Sequence, residues 1–404
     1  MIMPRPAAVA PLPHAVLAQL ATGADWLGSW WPVAGLGAIA TVLILVAVRR
    51  GGRTWRSPGR WLAVTGAVLA VLLAAGSAVN TVVGYVPNVP AAWWLLTGQR
   101  PGPTDAPASI HNTRVITSVT GSTRTRSGGP AVARAVTGPS TPNPAGTGQV
   151  TAQSVPTPAD LRMPVSTTWV YTPPGYNPRA ATRYPVVYLV HGTPGRSSDW
   201  FTGGDVARVM DVLIAQRLVR PMIIVAPDIN GAGQADTECL NSTRGGSQVE
   251  TYLTSVVVPW VDKNYATRAD WSHRVIGGMS SGGFCALDQG LRHPELYGSI
   301  IALEPYDTPG SGGRAMLSTR AEYDAHSPRR YLPTMTFAHP VATFLDIGSL
   351  GSGGASQTRR TAAQLIARGQ TVVSRVEPNQ SHNWTMARTG IPYGLIFASS
   401  NLPA

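Results

Sequence analysis

The chain has 404 residues, 44% of them hydrophobic, with 35 prolines, 43 glycines and a formal net charge of +12. That length allows one large domain plus accessory segments. The charge is carried almost wholly by arginine, and no arginine cluster is interleaved with aromatics in a folded-looking stretch, which argues against a nucleic-acid partner; two cysteines without a Cys-x-x-Cys spacing argue against zinc and dithiol redox chemistry.

Residues 1–25 are apolar, with prolines at 4, 6, 11 and 13 and an early Arg5, and lack the plan of a cleaved leader. Trp26 to Val48 is 23 residues without a charge, and Trp61 to Val79 is a second uncharged stretch of 19. Either is long enough to cross a hydrocarbon layer as a helix. Between them five arginines fall within residues 49–60, so the positive-inside rule places that loop in the cytoplasm and everything after Asn80 outside it. In such a compartment Cys239 and Cys285 suit a single disulfide. Tyr85 to Gly98 is aromatic and apolar but too short to span; it reads as an interfacial helix anchored by Trp93 and Trp94. Residues 1–98 are thus expected to form a membrane region. Residues 99–160, rich in Gly, Pro, Ser and Thr, read as a tether with one stray strand at Val115–Val119.

From 161 to 404 strands alternate with helices. Ser166–Tyr171, the apolar runs Tyr184–His191 and Pro221–Pro227, and Ser299–Glu304, Ala342–Ile347 and Val372–Val376 read as strands. Asp205–Arg217, Val249–Tyr265, 284–292 and Arg359–Arg368 read as helices. That alternation implies right-handed crossovers and a doubly wound, mostly parallel sheet, with ligand chemistry at the carboxyl ends of its strands.

The most informative stretch is Arg274–Cys285, where a β-branched run enters Gly278-x-Ser280-x-Gly282 and a helical segment follows. This is the sequence form of a nucleophile elbow of an α/β-hydrolase, a strand, sharp turn and helix with Ser280 at the apex, expected after the fourth or fifth strand. Glycines on both sides let strand and helix approach, and the helix start points free N–H groups at a developing oxyanion. Ser280 needs a base. Of the eight histidines, His382 lies after the final strand, where the chain order nucleophile, acid, histidine puts it. For the oxyanion two backbone donors are expected, Ser281 and, from His191-Gly192-Thr193-Pro194-Gly195, Thr193, because Pro194 has no N–H. The acid is open. The segment after Ala342–Ile347 holds no carboxylate, which leaves Glu304, Asp346 and Asp307 as candidates beside a Ser–His dyad. No metal or cofactor is called for.

The elbow, His191-Gly-Thr-Pro-Gly195 and Ser381-His-Asn-Trp384 make residues 165–400 resemble the putative-esterase family of α/β-hydrolases. That family includes S-formylglutathione hydrolases, feruloyl and enterobactin esterases and mycolyltransferase antigens. Asp199-Trp200, Pro227-Asp228, Asp236-Thr-Glu-Cys239 and Gly245-Gly246 with Glu250-Thr251-Tyr252 look closest to actinobacterial membrane-anchored members. The resemblance implies a membrane-anchored, extracytoplasmic serine esterase acting on a lipid- or wall-borne ester, aminoacyl-phosphatidylglycerol or a mycolyl-type ester being the first guesses. Rival readings are a mycolyltransferase-like acyltransferase and, given the missing acid, a catalytically silent envelope-binding module on the same fold.

Overall fold

The computed structural model describes residues 10–21, 25–49, 58–97, 112–113, 143, 146–351 and 354–404. The chain opens with α1 (His14–Ala21), α2 (Trp31–Arg49), α3 (Pro58–Val83) and α4 (Val89–Thr97). α2 and α3 are each long and apolar enough to cross a membrane, with a hydropathy of 2.2. They pack on each other and bury alanines, Ala40 and Ala47 on one and Ala63, Ala67 and Ala70 on the other, while Leu45, Leu62, Leu72 and their neighbours face outward. Small residues at the seam and large ones outside suit a lipid solvent. The first helix begins later than its apolar run. Trp26–Gly28 forms a separate 3-10 turn capped by Asp25, whose carboxylate accepts from Leu27 N–H at 2.8 Å. Pro32 then sits in the first helical turn, where its missing N–H costs nothing.

The other Asp25 oxygen accepts from Val89 N–H at 2.8 Å and so ties in the start of α4. That helix forms where expected, but of its two tryptophans only Trp93 is exposed. Trp94 turns into the globular domain and meets the Trp169 ring edge-on at 5.4 Å, so it is not a second membrane anchor.

Among the described residues the sheet has nine strands: β1 (Asn112–Thr113), β2 (Gln149–Ser154), β3 (Thr167–Thr172), β4 (Val186–Val190), β5 (Ile223–Ala226), β6 (Arg274–Met279), β7 (Ser299–Leu303), β8 (Ala342–Gly348) and β9 (Thr371–Glu377). Their spatial order is β1-β2-β3-β5-β4-β6-β7-β8-β9. β3 runs antiparallel to β2 and β5, and the other pairs are parallel. β2 lies inside the stretch expected to be tether. It has no apolar run to betray it, yet all six of its residues pair with β3, and Val150 and Thr151 are buried. The globular domain therefore starts before residue 161, and the elbow strand is sixth in chain order. The strand expected at Val115–Val119 lies outside the described residues.

The remaining helices are α5 (Val206–Ala215), α6 (Val249–Thr251), α7 (Val258–Asn264), α8 (Ser281–Arg292), α9 (Gly310–Met316), α10 (Arg320–Ala325), α11 (Pro328–Tyr331), α12 (Gly354–Ala367) and α13 (Trp384–Asn401). α6 and α7 continue one another through a π-helical stretch, Tyr252–Val257, where Val258 N–H reaches Leu253 O. Pro259, unable to donate, follows directly and explains the widened turn. Alternation along β4 divides the core. Val186, Tyr188 and Val190 face a layer containing Val257, Val261, Leu287 and Leu365, from the α6–α7 rod, α8 and α12. Val187 and Leu189 face α5 and α13 through Met210, Leu213, Ile391 and Leu395. The outcome is a doubly wound sheet whose parallel strands all deliver their carboxyl ends to one edge. Cys239 and Cys285 are joined by a disulfide that ties the segment before α6 to α8.

Candidate active site

β6 delivers Ser280 at φ 61°, ψ −121°, a conformation rare for a residue with a side chain. The neighbouring glycines show what holds it there. A Cβ on Gly278 would stand 2.2 Å from Gly282 O, and one on Gly282 would stand 2.2 Å from Val190 O. Strand, turn and helix are closer than any side chain permits. α8 starts at Ser281, so the N–H of that residue has no carbonyl within the helix to meet. Gly192 lies alongside, where a Cβ would be 3.2 Å from that of Ser280, and brings Thr193 to the same edge. His191 holds the Gly192–Gly195 loop from below. It is fully buried, Ile229 N–H donates to its Nε2 at 3.2 Å, and its Nδ1 is 2.8 Å from Gly192 O.

His382 follows β9, and its Nδ1 lies 3.2 Å from Glu304 Oε2. The imidazole side chain is 47% exposed and the carboxylate 3%. Glu304 leaves β7 with φ 50°, its N–H donates to Asp346 O at 2.8 Å, and its Oε1 accepts from Gly348 N–H at 2.7 Å. The close of β8 thus supplies a backbone donor to an acid that arrives from β7. Gly348 is needed there, since a Cβ would stand 2.4 Å from Gln380 O.

The other two carboxylates lie elsewhere. Asp346 is wholly buried, its Oδ1 accepts from Ile347 N–H at 2.9 Å, and Oδ2 faces α13, 2.8 Å from where a Cβ on Gly390 would be. Burial, reinforced by the Glu377 carboxylate, pushes its acid up to about 8. Arg375 stands 3.8 Å from it, beyond hydrogen-bond range, and is engaged with Glu377 and the Tyr393 ring. Asp307 is taken by Arg360, with Nη2 at 2.7 Å and Nε at 2.8 Å from the same oxygen. Of the three candidates, the structure brings only Glu304 to His382.

Residues that the sequence reading left without a role sit beside the nucleophile. Asp236 Oδ1 accepts from Thr193 Oγ1 at 3.3 Å and from Ser281 Oγ at 3.2 Å. One carboxylate oxygen therefore links the two residues expected to supply oxyanion donors. Glu238, two positions on, is pushed up to about 8 by burial and by Asp236. Tyr306 O–H donates to it at 2.6 Å while its ring stacks on Phe284. The expected disulfide between Cys239 and Cys285 forms and holds the Asp236-Thr-Glu-Cys239 string against α8, but nothing in the string itself shows that Asp236 would reach Thr193 and Ser281. Among the described residues no His, Cys, Asp and Glu side chains converge as a metal site.

A serine on a strained elbow at the carboxyl edge of a doubly wound sheet, with a histidine and carboxylate after later strands, defines an esterase-type α/β-hydrolase. The chain belongs to the family described as Putative esterase, whose model matches residues 164–388. It is 30% identical over 146 residues to an uncharacterized protein of Corynebacterium glutamicum, covering 36% of this chain and 34% of that one. It is 31% identical over 142 residues to an esterase of Mycobacterium tuberculosis, covering 35% and 29%. These matches span about a third of each curated relative's length. A ferulic acid esterase superposes with TM-score 0.56 at 24% identity, over 64% of this chain and 99% of that one. The S-formylglutathione hydrolase of Agrobacterium tumefaciens does so with TM-score 0.53 at 20% identity, over 65% and 99%. At such identities the two structures speak for the fold alone.

Proposed function

We propose that the protein is a membrane-anchored serine esterase working on the outer side of the membrane through an acyl-enzyme. Ser280 Oγ attacks the ester carbonyl and passes its proton to His382 Nε2. Glu304 receives His382 Nδ1–H, fixes the tautomer and stabilises the imidazolium. The backbone N–H groups of Ser281 and Thr193 bind the tetrahedral oxyanion. His382 then returns the proton to the departing alkoxide, the acyl group stays on Ser280, and water activated by the same histidine releases the acid. The observation that carries this reading is Glu304 at 3.2 Å from His382 Nδ1. It also weakens the case for a silent binding module, which rested on a missing acid. The half-exposed imidazole leaves room for water and so favours hydrolysis over acyl transfer.

The anchoring part of the reading rests on α2 and α3 and on the arginine-only loop between them, which the positive-inside rule puts in the cytoplasm. The disulfide fits an oxidising compartment. For substrate, the polar groups favour an ester that carries both an amino group and a phosphate, as an aminoacyl ester of phosphatidylglycerol does, over a mycolate. Asp236 lies beside the nucleophile, and α9, whose Gly312 packs against Asp236, carries Arg314 to a groove also lined by Arg244, Arg320 and Arg329.

Fluorophosphonate labelling of the full-length chain in detergent, beside Ser280→Ala and His382→Ala, tests the mechanism. Labelling should vanish with the first and fall steeply with the second. A folded wild-type chain that takes no label would turn the reading toward a binding module. Release of amino acid from vesicles containing aminoacyl-phosphatidylglycerol, against release of fatty acid from mycolyl esters, tests the substrate.

A further inference from the structure

The outer end of the membrane hairpin grips the loop that carries His382. Val82, in the last turn of α3, accepts at its carbonyl from Asn383 Nδ2 at 2.9 Å. Gly84, at φ 68°, lies so close to α13 that a Cβ on it would stand 2.4 Å from Thr385 Oγ1. The Gly84 carbonyl accepts from Arg388 Nη1 at 2.6 Å, and the same nitrogen donates to Gly203 O at 2.5 Å. Tyr85 then sets its ring edge-on to Trp384, with centroids 6.3 Å apart, and Trp384 packs edge-on against Trp200 at 5.3 Å.

Tyr85 reaches the other side of the site as well. Its O–H donates to Asp199 Oδ1 at 2.7 Å, and Asp199 Oδ2 accepts from Arg196 N–H at 2.8 Å. A Cβ on Gly195 would be 2.9 Å from that second oxygen. One short segment, Val82–Tyr85, thus holds the residues flanking His382 and the far end of the loop that carries Thr193. Neither set is far in sequence from a residue expected to react, and both are far from the hairpin. Nothing in the helical anchor requires such contacts if it serves only as a leash.

We propose that Val82–Tyr85 is a positioning element of the active site: the hairpin's outer end sets the pose of His382 and of the Thr193 loop, and holds the catalytic edge at headgroup level. This rests on the Ser280 esterase reading above and adds a second role for the anchor. Around the same end the side chains of Trp26, Trp30, Trp31, Trp93 and Leu96 are exposed, an aromatic and apolar collar suited to the membrane–water boundary. An ester carried by a lipid in that leaflet then meets the nucleophile without leaving the bilayer.

The test uses the full-length chain in vesicles of phosphatidylglycerol and phosphatidylethanolamine, as wild type, Gly84→Ala, Tyr85→Phe and Gly84→Ala/Thr385→Ala. Reads are the fluorophosphonate labelling rate, kcat and KM on a short water-soluble nitrophenyl ester, and the melting temperature. Gly84→Ala adds one methyl outside the catalytic domain and pushes on Thr385. It should lower kcat and labelling rate about 10- to 100-fold, the cost of an ångström-scale misplacement, with KM changed less than about twofold. Tyr85→Phe should lower both a few-fold, and Thr385→Ala should recover part of what Gly84→Ala loses, which a generally weakened fold would not show. Wild-type kcat in Gly84→Ala and Tyr85→Phe would overturn the proposal while leaving the esterase reading intact. If Gly84→Ala melts too early to measure, Tyr85→Phe decides alone, and a wild-type rate there overturns it. A wild-type chain that never labels would sink both.

Discussion

Glu304→Gln is the sharpest probe of the proposed mechanism. The substitution keeps shape and volume at a site that is almost wholly buried. One side-chain oxygen remains to accept from Gly348 N–H, now 2.7 Å from Oε1. The amide nitrogen then replaces Oε2, 3.2 Å from His382 Nδ1, and donates where the carboxylate accepted. A ring nitrogen facing a donor must present its lone pair, so the proton moves to Nε2, the atom that has to take the serine proton. The variant therefore loses the competent tautomer and the countercharge to the imidazolium together. For a buried acid in this role the loss is about 10³- to 10⁴-fold in kcat, or roughly 4–5.5 kcal/mol of transition-state stabilisation. Stability should change little, because the Gly348 hydrogen bond and the packing persist. The assay is kcat on a soluble ester with the fluorophosphonate labelling rate as a second read, and Asp346→Asn and Asp307→Asn as controls expected to keep most of the wild-type rate, since Asp346 faces α13 and Asp307 is held by Arg360. A Glu304→Gln enzyme within about threefold of wild type, or a collapse in Asp346→Asn instead, would refute the assignment of the acid.

Three further outcomes follow from the same geometry. Asp236→Ala removes the oxygen that accepts from both the Thr193 and Ser281 hydroxyls; kcat should fall about 10- to 100-fold, somewhat less than the loss of an oxyanion donor itself, with labelling by the fluorophosphonate still dependent on Ser280. Asp346→Asn should make the protein more stable near pH 8 in chemical denaturation. Its folded acid is raised to about 8 by burial, so the folded state keeps a proton that the unfolded chain releases near pH 4, and stability is lost as pH rises between the two; in the variant that part of the slope disappears, and an unchanged slope would contradict the assignment. Breaking the disulfide with Cys239→Ala/Cys285→Ala frees a loop of sequence separation 46, which the chain-entropy model values at about 4 kcal/mol; thermal melting should fall by several degrees or more, and labelling should slow because the Asp236–Glu238 segment loses its hold on α8.

The strongest signals in the sequence were those in which local chemistry and architecture coincide. Gly278 and Gly282, on either side of Ser280, are forced because a Cβ on either would stand 2.2 Å from a backbone oxygen, so the elbow is legible in the sequence. The apolar runs of β4 and β5 are buried on both faces, and for that reason carry no alternation that could mislead. β2 fails the same test in reverse. Its residues Gln149–Ser154 are mostly polar, with only Val150 and Ala152 apolar, and it exists because β3 offers a free edge, which is a property of another segment. The proposed acid, Glu304, is obscured for a related reason. A search for a carboxylate at the end of β8 and just past it finds glycine, serine, leucine and alanine, yet Gly348 is there to donate its N–H to Glu304. The strand that usually supplies the group supplies its hydrogen bond instead.

Contacts between the N-terminal hairpin and the globular domain are the least legible, and they change how the chain's organisation is understood. Periodicity and hydropathy divide the sequence at the end of α3, because composition changes there from apolar to mixed. Yet Val82, Gly84 and Tyr85 make their partners among Asn383, Thr385, Arg388 and Asp199, between 114 and 304 residues away. Two of the hydrogen bonds end on backbone carbonyls, Val82 O and Gly84 O, and no side-chain pattern can announce those. The third depends on a tyrosine that reads, in sequence, as one more interfacial aromatic. The stretch expected to be a tether, shortened at its far end by β2, comes only after these contacts in the chain. The outer end of the helical hairpin is therefore packed against the loop that carries His382, and the segment expected to separate the two follows those contacts in the chain.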